Sequence, residues 1–326
     1  MRVIEQEVSQ GLQEYRDTLL ETFAGVPTSV DPEWVRQELA ADGWRSDTPV
    51  VVIPYTQEHI RAALEVNNAT DWQAPYVADL FDEVLELRER LDAGEVTDDT
   101  TRVTSFCDYL LDLVVTFDTY DALAPIHGET FAVATRINAI GHELGHAAFA
   151  HLTQITMESR GGEEVLIKER GGVSQADNVY SVEPGDYYLP EAGAVYLEEG
   201  VAVHAASTLQ RRLVPESLPE GPVTEDMRIY GIRRLTLPPH YFFHSEAQPY
   251  APTAMGWAIA GYGLEVLAQK HPDVIDKIKQ VADGRLAVAD FHDDLHTITG
   301  TNLYNKLVEF GDYRKWGKVL KALNRL

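Results

Sequence analysis

Residues 138–149 read NAIGHELGHAAF and place His142, Glu143 and His146 in a stretch that favours a helix. Residues four apart on a helix lie on one face, with Cβ atoms about 5–6 Å apart, so both imidazoles can point at one metal ion. Zinc accepts such nitrogen ligands at about 2.0–2.1 Å. Glu143 is next to the first histidine, where its carboxylate can reach a metal-bound water without binding the metal. The pattern therefore predicts a zinc site with a general base beside it.

The motif has a second interpretation, because a chain with 11 histidines and 52 acidic residues can contain H-E-x-x-H by chance. The surrounding segment, residues 131–152, is rich in Ala, Ile, Leu and Phe and lacks proline, which is typical of a largely buried helix. Burying two histidines and a glutamate without partners is costly, and metal binding removes that cost. The setting therefore favours the metal interpretation.

The composition of the whole chain limits the classes of molecule that this protein is expected to bind. The 326 residues are 44% hydrophobic and 24% charged, which is ordinary for a globular protein. The net charge of -25 is not ordinary, and it argues against nucleic acid or an anionic membrane as the main partner. A cationic substrate or a saline habitat would suit such a surface.

The single cysteine, Cys107, excludes an intramolecular disulfide and a zinc site built from cysteines. We expect it to be a small core residue. The N-terminal segment MRVIEQEVSQGLQEY lacks the apolar region of a signal peptide, and nowhere do eighteen apolar residues follow one another. These features predict a soluble, cytoplasmic protein.

Residues 1–98 are predicted to form a mainly helical N-terminal region. One helix should begin with Asp31 as N-cap and Pro32 in the first turn. The β-branched run PVVVIPY, residues 49–55, predicts a strand, and the amphipathic segment that follows predicts a helix ending near Gly94.

Residues 99–326 are predicted to form the catalytic region. Beyond an expected apolar helix at 102–117 and the motif helix at 131–152, the paired glycines and prolines of residues 161–190 predict a loop insertion with a hairpin. A helix at 191–212 and a helical C-terminal subdomain at 225–326 complete this region. The whole pattern predicts a predominantly helical α+β fold with a small β element.

A catalytic zinc usually has three protein ligands, so a third ligand is needed beside the two histidines. Residues 196–206, YLEEGVAVHAA, offer Glu198 and Glu199 in an otherwise apolar helical stretch. Adjacent residues point about 100° apart on a helix, so at most one carboxylate is expected to face the site. An acidic start that complements the helix dipole explains the pair equally well. The residue types alone leave both interpretations open.

H-E-L-G-H followed by a glutamate in an E-G-x-A context resembles the gluzincin zinc metallopeptidases, in particular the peptidase MA-like branch. Tyr196 to Ala202 is similar to the W/Y-L-x-E-G-x-A pattern of that family, with Glu199 in the ligand position. The resemblance implies a zincin-like fold in which His142, His146 and Glu199 bind zinc and Glu143 activates water.

The resemblance covers residues 131–206 and extends loosely to the helices after 245. The interval of 53 residues between His146 and Glu199 is longer than in compact members of the family. Val203 also stands where the family often has a helix-borne partner for the first histidine, so another group must hold that imidazole.

The same resemblance implies a hydrogen-bond donor for the oxyanion, and Tyr250 and Tyr262 are the candidates. The alternative is that each tyrosine packs in the core. The other histidines receive structural interpretations, including the spaced pairs His240 with His244 and His292 with His296.

Together these features predict a zinc-dependent peptidase that acts on a peptide or protein substrate, with basic segments favoured by the acidic surface. The alternative is a non-catalytic binding or assembly protein that keeps a structural zinc on the same fold. The sequence does not indicate the oligomeric state.

Overall fold

The computed structural model describes residues 2–69, 75–101, 105–108, 111–148, 153–160, 163–170, 173–177, 192–217, 264, 267–286 and 288–299. These residues form a predominantly helical α+β structure with a small three-stranded mixed sheet and a separate three-stranded antiparallel sheet. The chain divides into two compact units. Unit 1 comprises Met1–Asp42, Ser46–Ala147 and Leu209–Ser217, and unit 2 comprises Gly43–Arg45, Ala148–Thr208 and Leu218–Leu326.

Unit 1 contains most of the described helices and the mixed sheet. Its helices are α1 (Arg2–Thr22), α2 (Pro32–Ala41), α3 (Gln57–Ala69), α4 (Pro75–Asp92), α5 (Asp98–Thr101), α6 (Tyr120–His127) and α7 (Glu129–Ala147). Its strands are β1 (Val50–Pro54), β2 (Phe106–Asp108) and β3 (Leu113–Asp118).

The mixed sheet has the strand order β1-β3-β2, in which β1 runs parallel and β2 antiparallel to β3. Because side chains alternate along a strand, the two faces of the sheet have different neighbours. Val51, Ile53, Val115 and Phe117 belong to the core that also contains residues of α1, α3 and α4. The other face, which includes Thr116, contacts α7. The motif helix therefore packs on one side of the sheet and the N-terminal helices pack on the other.

The predicted helix at 102–117 is wrong, because the described residues of this segment form β2 and most of β3. All residues from Leu113 to Phe117 are buried, since both faces of β3 are covered by helices. A strand buried on both faces reads as a continuous apolar run, which periodicity alone does not distinguish from a buried helix. Cys107 lies in β2 and is half-buried.

Other local predictions are confirmed. Asp31 is the N-cap of α2 and accepts a hydrogen bond from the Glu33 backbone N–H at 2.9 Å. The predicted strand at 49–55 is β1, and the chain leaves α4 through Gly94 at φ +90°. A positive φ is accessible to glycine because it has no Cβ, which explains this helix end.

Unit 2 contains the antiparallel sheet β4 (Thr153–Arg160), β5 (Glu163–Arg170) and β6 (Val173–Asp177). Arg160 pairs with Glu163 and Arg170 with Val173, so two residues separate consecutive strands. Residues 161–190, predicted as loops with a hairpin, thus contain two strands of this sheet.

Three further described helices are α8 (Ala192–Leu213), α9 (Pro272–Ala282) and α10 (Val288–Thr299). A 3₁₀ turn at Pro215–Ser217 follows α8, whose last residues belong to unit 1. In unit 2, an ion pair of 2.7 Å between Lys277 and Asp294 links α9 to α10. The division of the chain at residue 98 stays a prediction, although the pairing of β1 with β3 joins residues from both sides of it.

Within the described residues, no helix is both long enough and apolar enough to cross a membrane.

Candidate metal centre

Helix α7 carries the H-E-x-x-H motif. It begins after Gly128, two residues before the predicted motif segment, and its described helical residues end at Ala147. Glu129 in the first turn complements the helix dipole, and the helix contains no proline. Nearly the whole stretch from Ile140 to Ala147 is buried, so the motif lies in the buried part of α7.

His142 and His146 face each other as the four-residue spacing predicts. Their Nε2 atoms lie 3.1 Å apart. The ring planes are at 82° and the ring centroids are 4.7 Å apart. Two nitrogens bound to one tetrahedral zinc at 2.0–2.1 Å would be about 3.3 Å apart. The pair therefore fits two adjacent positions of a zinc coordination sphere, and the same separation allows one protonated ring nitrogen to donate to the other.

Burial lowers the pKa of His142 to about 4, because the charged imidazolium loses its hydration. At neutral pH the ring is therefore neutral, which is the form that binds a metal. Glu143 is also buried, with 6% of its surface exposed. A buried carboxylate thus follows the first of the two converging imidazoles along α7.

Arg136 anchors the same helix to the sheet. It is 2% exposed, and its Nη1 donates to the Thr116 hydroxyl at 3.0 Å. Its Nε lies 3.5 Å from Oδ1 of Asp118, a carboxylate that also accepts hydrogen bonds from the backbone N–H and hydroxyl of Ser29. Burial lowers the pKa of Arg136 to about 10, and the nearby Asp118 opposes that effect.

The sequence-predicted third ligand, Glu199, lies within α8, and its side chain is outside the described residues. The C-terminal end of this helix is tied to α7, because Asn138 Nδ2 donates to Gln210 Oε1 at 2.9 Å. Asn138 precedes His142 by one helical turn. Tyr250 and Tyr262 also lie outside the described residues.

No group of three or more His, Cys, Asp and Glu side chains is arranged for a metal within the described residues. The structure thus brings the ring nitrogens of His142 and His146 together and places Glu143 on the same helix, while the side chains of the other predicted site residues lie outside its description.

The remaining described histidines have structural settings. His127 stacks on Phe131 with ring centroids 4.9 Å apart. His271 occupies the N-cap position of α9, and His204 is half-buried in α8. His292 and His296 belong to α10, with side chains outside the described set, and His240 and His244 lie outside the described residues altogether.

Sequence reasoning missed Arg136 and Asp118. Two signals were available: Arg136 is the one Lys or Arg in the apolar sequence of α7, and Asp118 directly follows the largely apolar run LVVTF. A buried charge requires a partner, so each residue could be recognised as a charge that needs one, although the sequence does not say which. No family model, curated protein or solved structure matches this chain.

Proposed function

We propose that this protein is a zinc-dependent peptidase with a zincin-like fold. The observation that carries the proposal is the 3.1 Å separation of the His142 and His146 Nε2 atoms beside the buried Glu143. Chance occurrence of the five-residue motif H-E-x-x-H does not require converging ring nitrogens in the interior of a compact unit. The small mixed sheet on which α7 packs supports the zincin-like assignment.

In this proposal, His142 and His146 supply neutral imidazole nitrogens to the metal. Glu199 supplies the third ligand, a role that rests on the family resemblance. When bound, zinc supplies a Lewis acid that polarises the scissile carbonyl.

Glu143 acts as the general base and then the general acid. One of its carboxylate oxygens takes a proton from the attacking water and passes it to the leaving amine nitrogen. Tyr250 or Tyr262 donates a hydrogen bond to the developing oxyanion. Burial of α7 limits the motion of the Glu143 side chain, which keeps its position relative to the two histidines.

The proposed substrate is a peptide or protein segment with basic residues. The net charge of -25 attracts cationic chains and repels nucleic acid and anionic membranes. A cytoplasmic location remains a prediction from the sequence.

The decisive experiment combines elemental analysis of the purified protein with cleavage of a mixed peptide library. We expect about one zinc per chain and hydrolysis that a chelator removes and added zinc restores. Glu143→Gln should keep the zinc and reduce kcat by at least about 100-fold, because it removes the base and leaves the ligands in place. Full activity of Glu143→Gln would overturn the mechanism.

The same measurements separate catalysis from a structural metal. A structural zinc predicts one zinc per chain, a much lower melting temperature after chelation and no cleavage of any library peptide. That combination of results would replace the peptidase proposal with the non-catalytic one.

A further inference from the structure

Arg136 of α7 makes a charged contact to the mixed sheet. Its guanidinium reaches Thr116 at 3.0 Å and Asp118 at 3.5 Å. Asp118 is held in turn, because its Oδ1 accepts the Ser29 hydroxyl at 2.7 Å and the Tyr120 backbone N–H at 3.2 Å. The Asp118 carboxylate is therefore held in a fixed position, at which Arg136 of α7 pairs with it.

Arg136 and Glu143 project from the same side of α7. They are seven residues apart. This spacing corresponds to a rotation around the helix axis within about 20° of two full turns and to a rise of about 10 Å along it. Arg136, Ile140, Glu143 and Ala147 are all buried and follow the spacing of one helix face. The face that carries the proposed base is thus the face that the ion pair fastens to the sheet.

A buried ion pair is a weak source of stability, because desolvation of both charges offsets their attraction. The effect of the Arg136–Asp118 pair is on the orientation of α7 relative to the sheet. Rotating α7 about its axis by the angle of one residue would move the Arg136 side chain by about 100° and leave its buried charge without the contacts to Asp118 and Thr116. An apolar side chain at this position would tolerate several rotations of the helix against the sheet.

We propose that Arg136 is a positioning residue, which through Asp118 and Thr116 sets the rotation of α7 and so the placement of Glu143 and the two histidines. This inference rests on the proposed function, because it assigns the ion pair a role in that site. A shift of about 1 Å in a catalytic group can reduce a rate by about 100-fold, so a small rotation is sufficient to matter.

The test uses the full chain loaded with Co²⁺, whose visible absorption bands report the geometry of the metal site. The double variant Arg136→Met/Asp118→Asn removes both charges together, so no unpaired charge stays buried. We expect it to fold, to show altered cobalt bands, and to have kcat reduced by at least about tenfold with KM within about twofold of the wild type. Arg136→Lys keeps the positive charge and loses the planar guanidinium group. We expect it to change the cobalt bands and kcat in the same direction but by less.

Arg88→Lys is the matched control. Arg88 also crosses between elements, since its Nη1 donates to the Tyr55 carbonyl at 2.8 Å, but it is on α4 and not on the motif helix. We expect lower thermal stability with unchanged cobalt bands and kcat.

Failure of the proposed function and failure of the positioning role of Arg136 give different results. Wild-type protein that binds no cobalt and cleaves no peptide would overturn the proposed function and this inference together. Wild-type cobalt bands and activity that persist unchanged in folded Arg136→Met/Asp118→Asn and Arg136→Lys would overturn the inference alone.

Discussion

At the scale of single residues, the pair His142 and His146 shows how burial and spacing set the state of two side chains. The apolar surroundings lower the pKa of His142 to about 4 and keep its ring neutral over the physiological range. The four-residue spacing brings the two Nε2 atoms to 3.1 Å. Burial and spacing therefore act together, because burial sets the protonation state of His142 and the four-residue spacing brings the two Nε2 atoms close to each other.

The choice between Glu198 and Glu199 gives a prediction at the same scale. Adjacent residues of a helix point about 100° apart, so the two carboxylates do not share one role. We expect Glu199→Gln to weaken zinc binding by at least about 100-fold, since it removes a charged ligand, and Glu198→Gln to leave zinc binding unchanged. Competition with a chromophoric chelator measures both. Loss of zinc from Glu198→Gln with retention in Glu199→Gln would reverse the assignment.

At the scale of elements, the sequence predicted two helix ends from local residues. Asp31 caps α2 through the Glu33 backbone N–H at 2.9 Å, and Gly94 closes α4 with a positive φ. Both depend on one or two neighbouring residues, and so they can be inferred from local sequence.

The cap of α2 yields a stability prediction. Asp31→Ala should reduce the free energy of unfolding by about 1 kcal/mol, because it removes a hydrogen bond to an N–H that has no partner inside the helix. Asp31→Asn keeps an oxygen acceptor and serves as the control, with an expected loss of a few tenths of a kcal/mol. Urea unfolding followed by circular dichroism measures both. An equal loss in the two variants would show that the side-chain acceptor is not what stabilises α2.

At the scale of the whole molecule, the excess of acidic residues dominates. The net charge of -25 is spread over a chain with 27 basic and 52 acidic residues, so self-repulsion opposes the compact state. Raising the salt concentration from about 0.1 M to about 1 M shortens the screening length from about 10 Å to about 3 Å.

We therefore expect the melting temperature to rise by several degrees over that range of sodium chloride. A variant that neutralises exposed acids of α4, with Asp82→Asn, Glu83→Gln and Glu86→Gln, should show a smaller rise because it carries less repulsion. Scanning calorimetry at fixed pH measures the effect. A melting temperature that falls with salt in the wild type would mean that attractive ion pairs outweigh the repulsion.

The sequence by itself determined the features that depend on local spacing and chemistry. These are the converging histidines four residues apart on α7, the cap of α2, the strand β1 and the helical character of α8. Each follows from the geometry of a single helix turn or strand, which nearby residues specify without help from the rest of the chain.

The tertiary structure alone decided whether residues 113–118 are strand or helix, because a strand covered by helices on both faces loses the alternation that would reveal it. It also decided that Arg136 meets Asp118, a residue 18 positions away on another element. Such pairings depend on long-range packing, since the energy that selects them arises only when the sheet and α7 together exclude water from both charges.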